Sequence, residues 1–197
     1  MIRHFFRRSF ILLLVFGMFI FLLPCGVFAQ IEVAVDIKPG SCPNPINVKS
    51  QGVLTVAILG TGDFDVTTID RASIKMLVGE TETEVAPIRS SIEDVAIASE
   101  FSDSGCGICY TQGSDGYPDL TVKFRTQDIV TVLLVELEEG EELIDGTCIP
   151  LRITGSTDEN GIGDFWGDDA VKLLVKGKTP NRYRNGNRNT HRNFPTE

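Results

Sequence analysis

The sequence predicts an all-β protein: a Greek-key β-sandwich of about seven strands with at most one short helix. Three observations lead there. Apolar residues alternate with polar ones in short runs, Gly, Pro, Asn and Asp cluster between those runs, and a sustained helical period is missing from most of the chain.

Ile31-Glu32-Val33-Ala34-Val35-Asp36-Ile37 has the two-residue period of a half-buried strand, and Lys38-Pro39-Gly40 ends it. Val53 to Leu59 is almost continuously apolar between Gly52 and Gly60, as in a central strand covered on both faces. Ile74 to Val78 is a further strand, and Leu120 to Arg125 should point Leu120, Val122 and Phe124 inward. Thr126-Gln127-Asp128 then offers an N-cap and a first-turn acid before Ile129 to Glu136, so a short helix capped at Thr126 is placed on this stretch against its β-branched content. An acidic turn through Glu138-Glu139-Gly140-Glu141-Glu142 follows, and Ile149 to Thr154 and Ala170 to Val175 complete the strands.

The ends of the chain have different compositions. Arg3, Arg7 and Arg8 precede the apolar run Phe10 to Leu23, and Val27-Phe28-Ala29 offers a cleavage site, the order of a secretory signal peptide. That run is short for a bilayer-spanning helix. An uncleaved anchor is the alternative, with a lipid-modified Cys25 after Leu22-Leu23-Pro24 as another. From Lys176 the chain turns to Asn, Arg, Gly and Thr, too little apolar surface to offset the entropy of ordering. The expected organisation is therefore a signal peptide at 1–29, a secreted β-sandwich module at 30–175 and a disordered basic tail at 176–197. The product would be secreted, extracellular or periplasmic, with no membrane association after cleavage.

Charge narrows the partners. Gln30 to Val175 carries 9 Lys and Arg against 26 Asp and Glu, a balance of −17. Such a body repels phosphate backbones, so no nucleic acid is expected on it; the partner would be a cell-surface or extracellular polymer or protein. The basic tail could tether an acidic polymer or anionic surface. Both histidines, His4 and His191, fall outside the body. Imidazole-based nucleophilic catalysis and imidazole zinc sites therefore have no group to use there, and no catalytic residue is assigned. A carboxylate-dependent hydrolase stays open chemically, since two acids suffice for glycoside cleavage.

Four cysteines remain after signal removal, Cys42, Cys106, Cys109 and Cys148. In an exported chain an even number reads as two disulfides, and four cysteines allow three pairings. A redox pair or half of a zinc site are the other readings of Cys106-Gly107-Ile108-Cys109. The acidic flanks, Asp103 and Asp115, oppose a stabilised thiolate.

Calcium is the candidate cofactor. Ser114-Asp115-Gly116-Tyr117-Pro118-Asp119 sets two carboxylates across a turn, with Glu93, Asp94 and Asp103 as further oxygen donors. The plainer alternative is an Asp-Gly turn leading into a strand. A second metal loop would comprise Asp158, Asn160, Asp164 and Asp168 within a run that also holds Glu159, Gly161 and Asp169. Phe165-Trp166 falls in that loop, where Trp166 could serve as a platform for sugar rings in a carbohydrate-binding accessory module, or cap the core. Asp36, Asn44 and Asn47 are expected to fix turns through side-chain to backbone bonds, and could offer oxygens to an ion.

Several longer signatures go together. Asp36-Ile37-Lys38-Pro39-Gly40-Ser41-Cys42-Pro43-Asn44-Pro45-Ile46-Asn47, Val56-Ala57-Ile58-Leu59-Gly60-Thr61, Asp63-Phe64-Asp65-Val66-Thr67, Glu93-Asp94, Asp115-Gly116-Tyr117 and Thr126-Gln127-Asp128 resemble a secreted module widespread in bacterial and archaeal extracellular proteins. The likeness runs from about Val33 to Val175. It departs at Thr55 and Arg71, where that module usually has Pro, and at Ala96-Ile97-Ala98-Ser99, where many members have an Asp-rich loop. The resemblance brings no established activity with it; it implies association with cell-surface and calcium-binding regions, and the pairings Cys42 with Cys109 and Cys106 with Cys148. The expected function is a secreted, non-catalytic structural or adhesion module, stabilised by disulfides and by calcium if it binds.

Overall fold

Leu120, Val122 and Phe124 are fully buried, as their alternation predicts, and they form the middle of one face of a two-sheet sandwich. The computed structural model describes residues 30–138, 141–158 and 163–175. The signal segment, the basic tail, and the parts of the acidic turn and second metal loop at 139–140 and 159–162 lie outside the described residues.

The larger sheet contains β1 (Ile31–Glu32), β3 (Pro45–Asn47), β5 (Lys75–Val78), β6 (Glu84–Val85), β11 (Cys148–Ser156) and β12 (Asp164–Leu174). Its long axis is the antiparallel β11–β12 pair, and β1 and β3 both run parallel to β12 along its other edge. The second sheet has the order β2 (Val35–Ile37), β4 (Val53–Ile58), β10 (Asp119–Arg125), β7 (Arg89–Glu93). Neighbours within the sheets are mostly distant in sequence, as a Greek-key sandwich requires. Between the sheets, Ile37, Val56, Ile58 and Val122 meet Met76, Ile153, Phe165 and Val171. The helix α1 (Thr126–Val135) adds Ile129, Val130, Val132 and Leu133 to that core.

Four expectations are corrected. The opening strand is two strands in different sheets: β1 pairs with β12, and after Val33-Ala34 the chain crosses to pair β2 with β4. The crossing needs Gly167, since a Cβ there would lie 2.5 Å from the Val33 carbonyl oxygen and 2.4 Å from Val35 Cγ2. The helix starts one residue early, with Arg125 at the N-cap and no side-chain cap; Thr126 is its buried first residue, and its N–H donates to the Gly52 carbonyl at 3.1 Å. The last strand begins at Asp164 rather than Ala170, which places Phe165-Trp166 in β12 instead of a loop. A two-stranded hairpin, β8 (Ala96–Asp103) and β9 (Ile108–Gln112), was not expected at all.

That hairpin lies against the outer side of the smaller sheet. Ala57 and Leu59 beneath it are fully buried with Ala96, and Ala34, Val95, Ala98 and Tyr110 pack around them. This second, smaller core explains why Val53 to Leu59 reads as apolar on both faces.

Candidate functional site: a disulfide-braced carboxylate junction

Asp169 stands in the inward row of β12, among Phe165, Gly167, Val171 and Leu173, and is 5% exposed. Its Oδ2 accepts from the Ile37 backbone N–H at 2.9 Å and from Asn44 Nδ2 at 2.9 Å. Oδ1 accepts from the backbone N–H groups of Ile108 and Ala170, both at 2.7 Å. Four donors saturate the carboxylate and tie together β12, β2, the Asn44 turn and the start of β9. Burial raises its pKa, and the backbone donors oppose that rise.

Gly107 makes this junction sterically feasible. It adopts φ 94°, and a Cβ would fall 2.5 Å from Asp169 Oδ1 and 2.9 Å from the Ala170 carbonyl oxygen. The cysteines on either side are bridged: Cys106 to Cys148 and Cys42 to Cys109, with Cα separations of 5.5 and 5.6 Å. The Cys-Gly-Ile-Cys segment is thus a structural clip, with both sulfurs committed to distant strands and loops. The pairings are those the module resemblance implies.

Asp119 makes a second junction of the same kind. Fully buried, it accepts from the N–H groups of Gly60 at 2.9 Å, Val95 at 2.8 Å and Ala96 at 3.2 Å. It therefore seats the entry to the hairpin on the end of β4. Burial raises its pKa as well. Asp36, 1% exposed on the hairpin side of β2, has less support: Gln112 Nε2 donates to its Oδ2 at 3.1 Å. Burial first, and then the neighbouring charges of Asp169 and Asp119, push its pKa up to about 7 against the opposing Gln112 bond. Above it, burial and the charges of Asp169, Asp36 and Glu32 push Tyr110 up to about 12.

The carboxylates proposed as calcium ligands are used locally. Asp94 accepts from Ser114 Oγ and from the N–H groups of Asp115 and Gly116, Asp115 Oδ1 from Tyr117 N–H, Asp103 Oδ1 from Gly105 N–H, and Glu93 Oε1 from Ser91 Oγ. Asp119 is buried against the hairpin entry, as described. Among the described residues no group of three or more His, Cys, Asp or Glu is arranged to hold a metal ion. In the second metal loop, Asn160 lies outside the described residues, while Asp164 begins β12 and Asp158 follows β11, its N–H donating to the Thr68 carbonyl at 2.8 Å. Asp168 is drawn out of any such loop. It sits within β12, paired to Arg152 through contacts of 2.6 and 2.7 Å.

Trp166 faces outward from β12, half-buried, and the Arg152 guanidinium stacks 4.5 Å from its ring centroid. That guanidinium, held by Asp168, covers one face of the ring. A cleft of about 360 Å³ near Lys38, Pro45, Asn47, Thr55 and Thr126 contains no carboxylate, so it supplies no acid pair. Asn47 fixes its turn as expected, accepting from Lys49 N–H at 2.9 Å, whereas Asn44 bonds mainly to Asp169 and the Ala170 carbonyl.

Sequence reasoning missed Asp169 and Gly107 as a pair. The signal was present, since the alternation Phe165, Gly167, Asp169, Val171, Leu173 points a carboxylate into a core. No helix among the described residues is long and apolar enough to cross a membrane.

No family model matches the chain, and no curated protein does. Among solved structures it is similar to AggA, the major subunit of aggregative adherence fimbriae type I from Escherichia coli. Identity is 15%, the match covers 75% of this chain and 99% of that one, and the TM-score is 0.22. At that level neither fold detail nor function transfers.

Proposed function

We propose that this chain is a non-catalytic extracellular structural or adhesion module whose loops are held by disulfides and buried carboxylate junctions. One observation supports this most directly: the buried acids Asp169 and Asp119 accept four and three N–H donors that join distant segments of the chain, and the third, Asp36, is bonded to Gln112 beneath the hairpin. A catalytic carboxylate needs a free oxygen within reach of the reacting atom. The two disulfides fit an oxidising compartment and brace the same region. Calcium is not required to explain how these loops are held.

The test combines activity and binding. The purified, disulfide-intact chain is expected to retain extracellular polymers or cell surfaces in binding assays while turning over none of a panel of glycosides and esters. Product formation abolished by one carboxylate substitution that leaves the melt unchanged would overturn the proposal.

A further inference from the structure

The strand β7 ends the smaller sheet: β10 pairs with one edge, and among the described residues no strand pairs with the other. Proteins usually blunt such an edge by keeping it short, with like charges, Pro or a bulge, or with a covering loop, because its open backbone groups recruit another strand; the two charges of β7 are instead of opposite sign. The sequence Arg89-Ser90-Ser91-Ile92-Glu93 has no Pro or Lys, and its register against β10 is unbroken from Glu93 to Arg89. Ile92 pairs with Leu120, so its side chain shares the core-facing side of the sheet. Yet Ile92 is 39% exposed and Ile88, just before the strand, is 44% exposed, which leaves apolar surface at the rim of the core.

The charges select an occupant. Arg89 and Glu93 lie two residues either side of Ser91, on the same face and of opposite sign. We infer that β7 is a self-association edge, on which two copies of this chain pair antiparallel about a two-fold axis through Ser91. In that register Arg89 of each copy faces Glu93 of the other, Ser90 faces Ile92, and Ser91 faces its own equivalent. Opposite charges directly across an antiparallel pair are favourable, and the two-fold supplies the pair twice. A parallel arrangement in register would instead set Arg against Arg and Glu against Glu. Joining the two four-stranded sheets makes one continuous sheet of eight and brings the exposed isoleucines together. The edge is short, so association is weak and appears at high protein concentration. This inference is independent of the proposed structural role, since a module of either role can pair in this way.

Sedimentation of the full, disulfide-intact chain from micromolar to near-millimolar concentration tests it. A monomer–dimer equilibrium is expected. Arg89→Glu or Glu93→Arg alone should weaken it by at least about tenfold, because each places like charges opposite twice. The double exchange Arg89→Glu with Glu93→Arg should restore it, with circular dichroism verifying that every variant folds. Under mild oxidation Ser91→Cys should give a crosslinked dimer and Ser90→Cys should not. A chain that stays monomeric throughout, a dimer indifferent to the single reversals, or a double exchange no better than the singles would each overturn the assignment.

Discussion

The carboxylate of Asp169 accepts the backbone N–H of Ile37 at 2.9 Å, across 132 residues of chain. This bond spans the gap between the two sheets where ladder pairing is interrupted. Residues 165–166 of β12 pair with β1 and residues 172–174 pair with β3, and between them the side chains of Asp169 and Asn44 supply what a neighbouring strand would. The same carboxylate then fixes Ile108, so one residue positions both the sheet crossing and the hairpin.

Asp169→Ala should accordingly be among the costliest single substitutions in the chain. It leaves the N–H groups of Ile37 and Ile108 without an acceptor, at roughly 1 to 3 kcal/mol each, and takes one of the two acceptors of the Asn44 amide. Denaturant unfolding is expected to show a loss of about 3 to 5 kcal/mol, and Asp169→Asn, which keeps one acceptor oxygen, a smaller one. A loss below about 1 kcal/mol for the alanine variant would show that these donors find other partners.

Asp36 gives stability a slope with pH. Its pKa rises from 3.8 to about 7 on folding, so between those values the folded state holds a proton that the unfolded state has released. Its contribution is fully present below the unfolded value and is lost as pH rises through about 7. The full window corresponds to on the order of 4 kcal/mol. Burial shifts Asp119 and Asp169 the same way. Unfolding free energy should therefore increase from neutral pH toward pH about 5, and Asp36→Asn should flatten that slope. A wild-type slope of the opposite sign would contradict burial as the dominant influence on Asp36.

Legibility in the sequence followed the range of the interactions involved. Leu120, Val122 and Phe124 could be read because strand alternation is local, and the bounding glycines marked Val53 to Leu59 for the same reason. The switch of sheets after Glu32 could not be read, since both halves keep the two-residue period and the switch depends on space left by Gly167 far along the chain. The hairpin was hidden because Ser99-Glu100 and Ser102-Asp103 dilute its apolar pattern; disulfides and Asp119 anchor it. In β12, Gly167 and the aspartates Asp164, Asp168 and Asp169, just after Gly163, resembled a turn, although every second residue from Phe165 faces inward. The disulfide pairing came from the module resemblance; counting cysteines leaves it open.

The two disulfides should stabilise the hairpin region in particular. They close spans of 67 and 42 residues, and replacing both members of either pair by Ser is expected to cost about 2 to 4 kcal/mol. Limited proteolysis of the reduced chain should cut first between Ala96 and Gln112, leaving the sandwich strands protected. Thiol labelling of the unfolded, unreduced chain from Gln30 onward should find no free cysteine. Cleavage that starts instead in β10 or β12 would mean the clip braces the whole sandwich rather than one hairpin.

Calcium provides the sharpest separation between local and metal-held loops. Because Asp94 and Asp115 already accept backbone N–H groups of their own turn, and Asp119 those of Gly60, Val95 and Ala96, the melting temperature should be the same in excess calcium and in chelator. A ligand that binds only the folded state raises stability by about 2.7 kcal/mol at a hundredfold excess over its dissociation constant, well within reach of calorimetry. A calcium-dependent rise that disappears in Asp115→Asn would show the turn rearranging around an ion. A rise that survives that substitution would place the ion elsewhere, with Asp158, Asp164 and the segment between them as the next acids to replace.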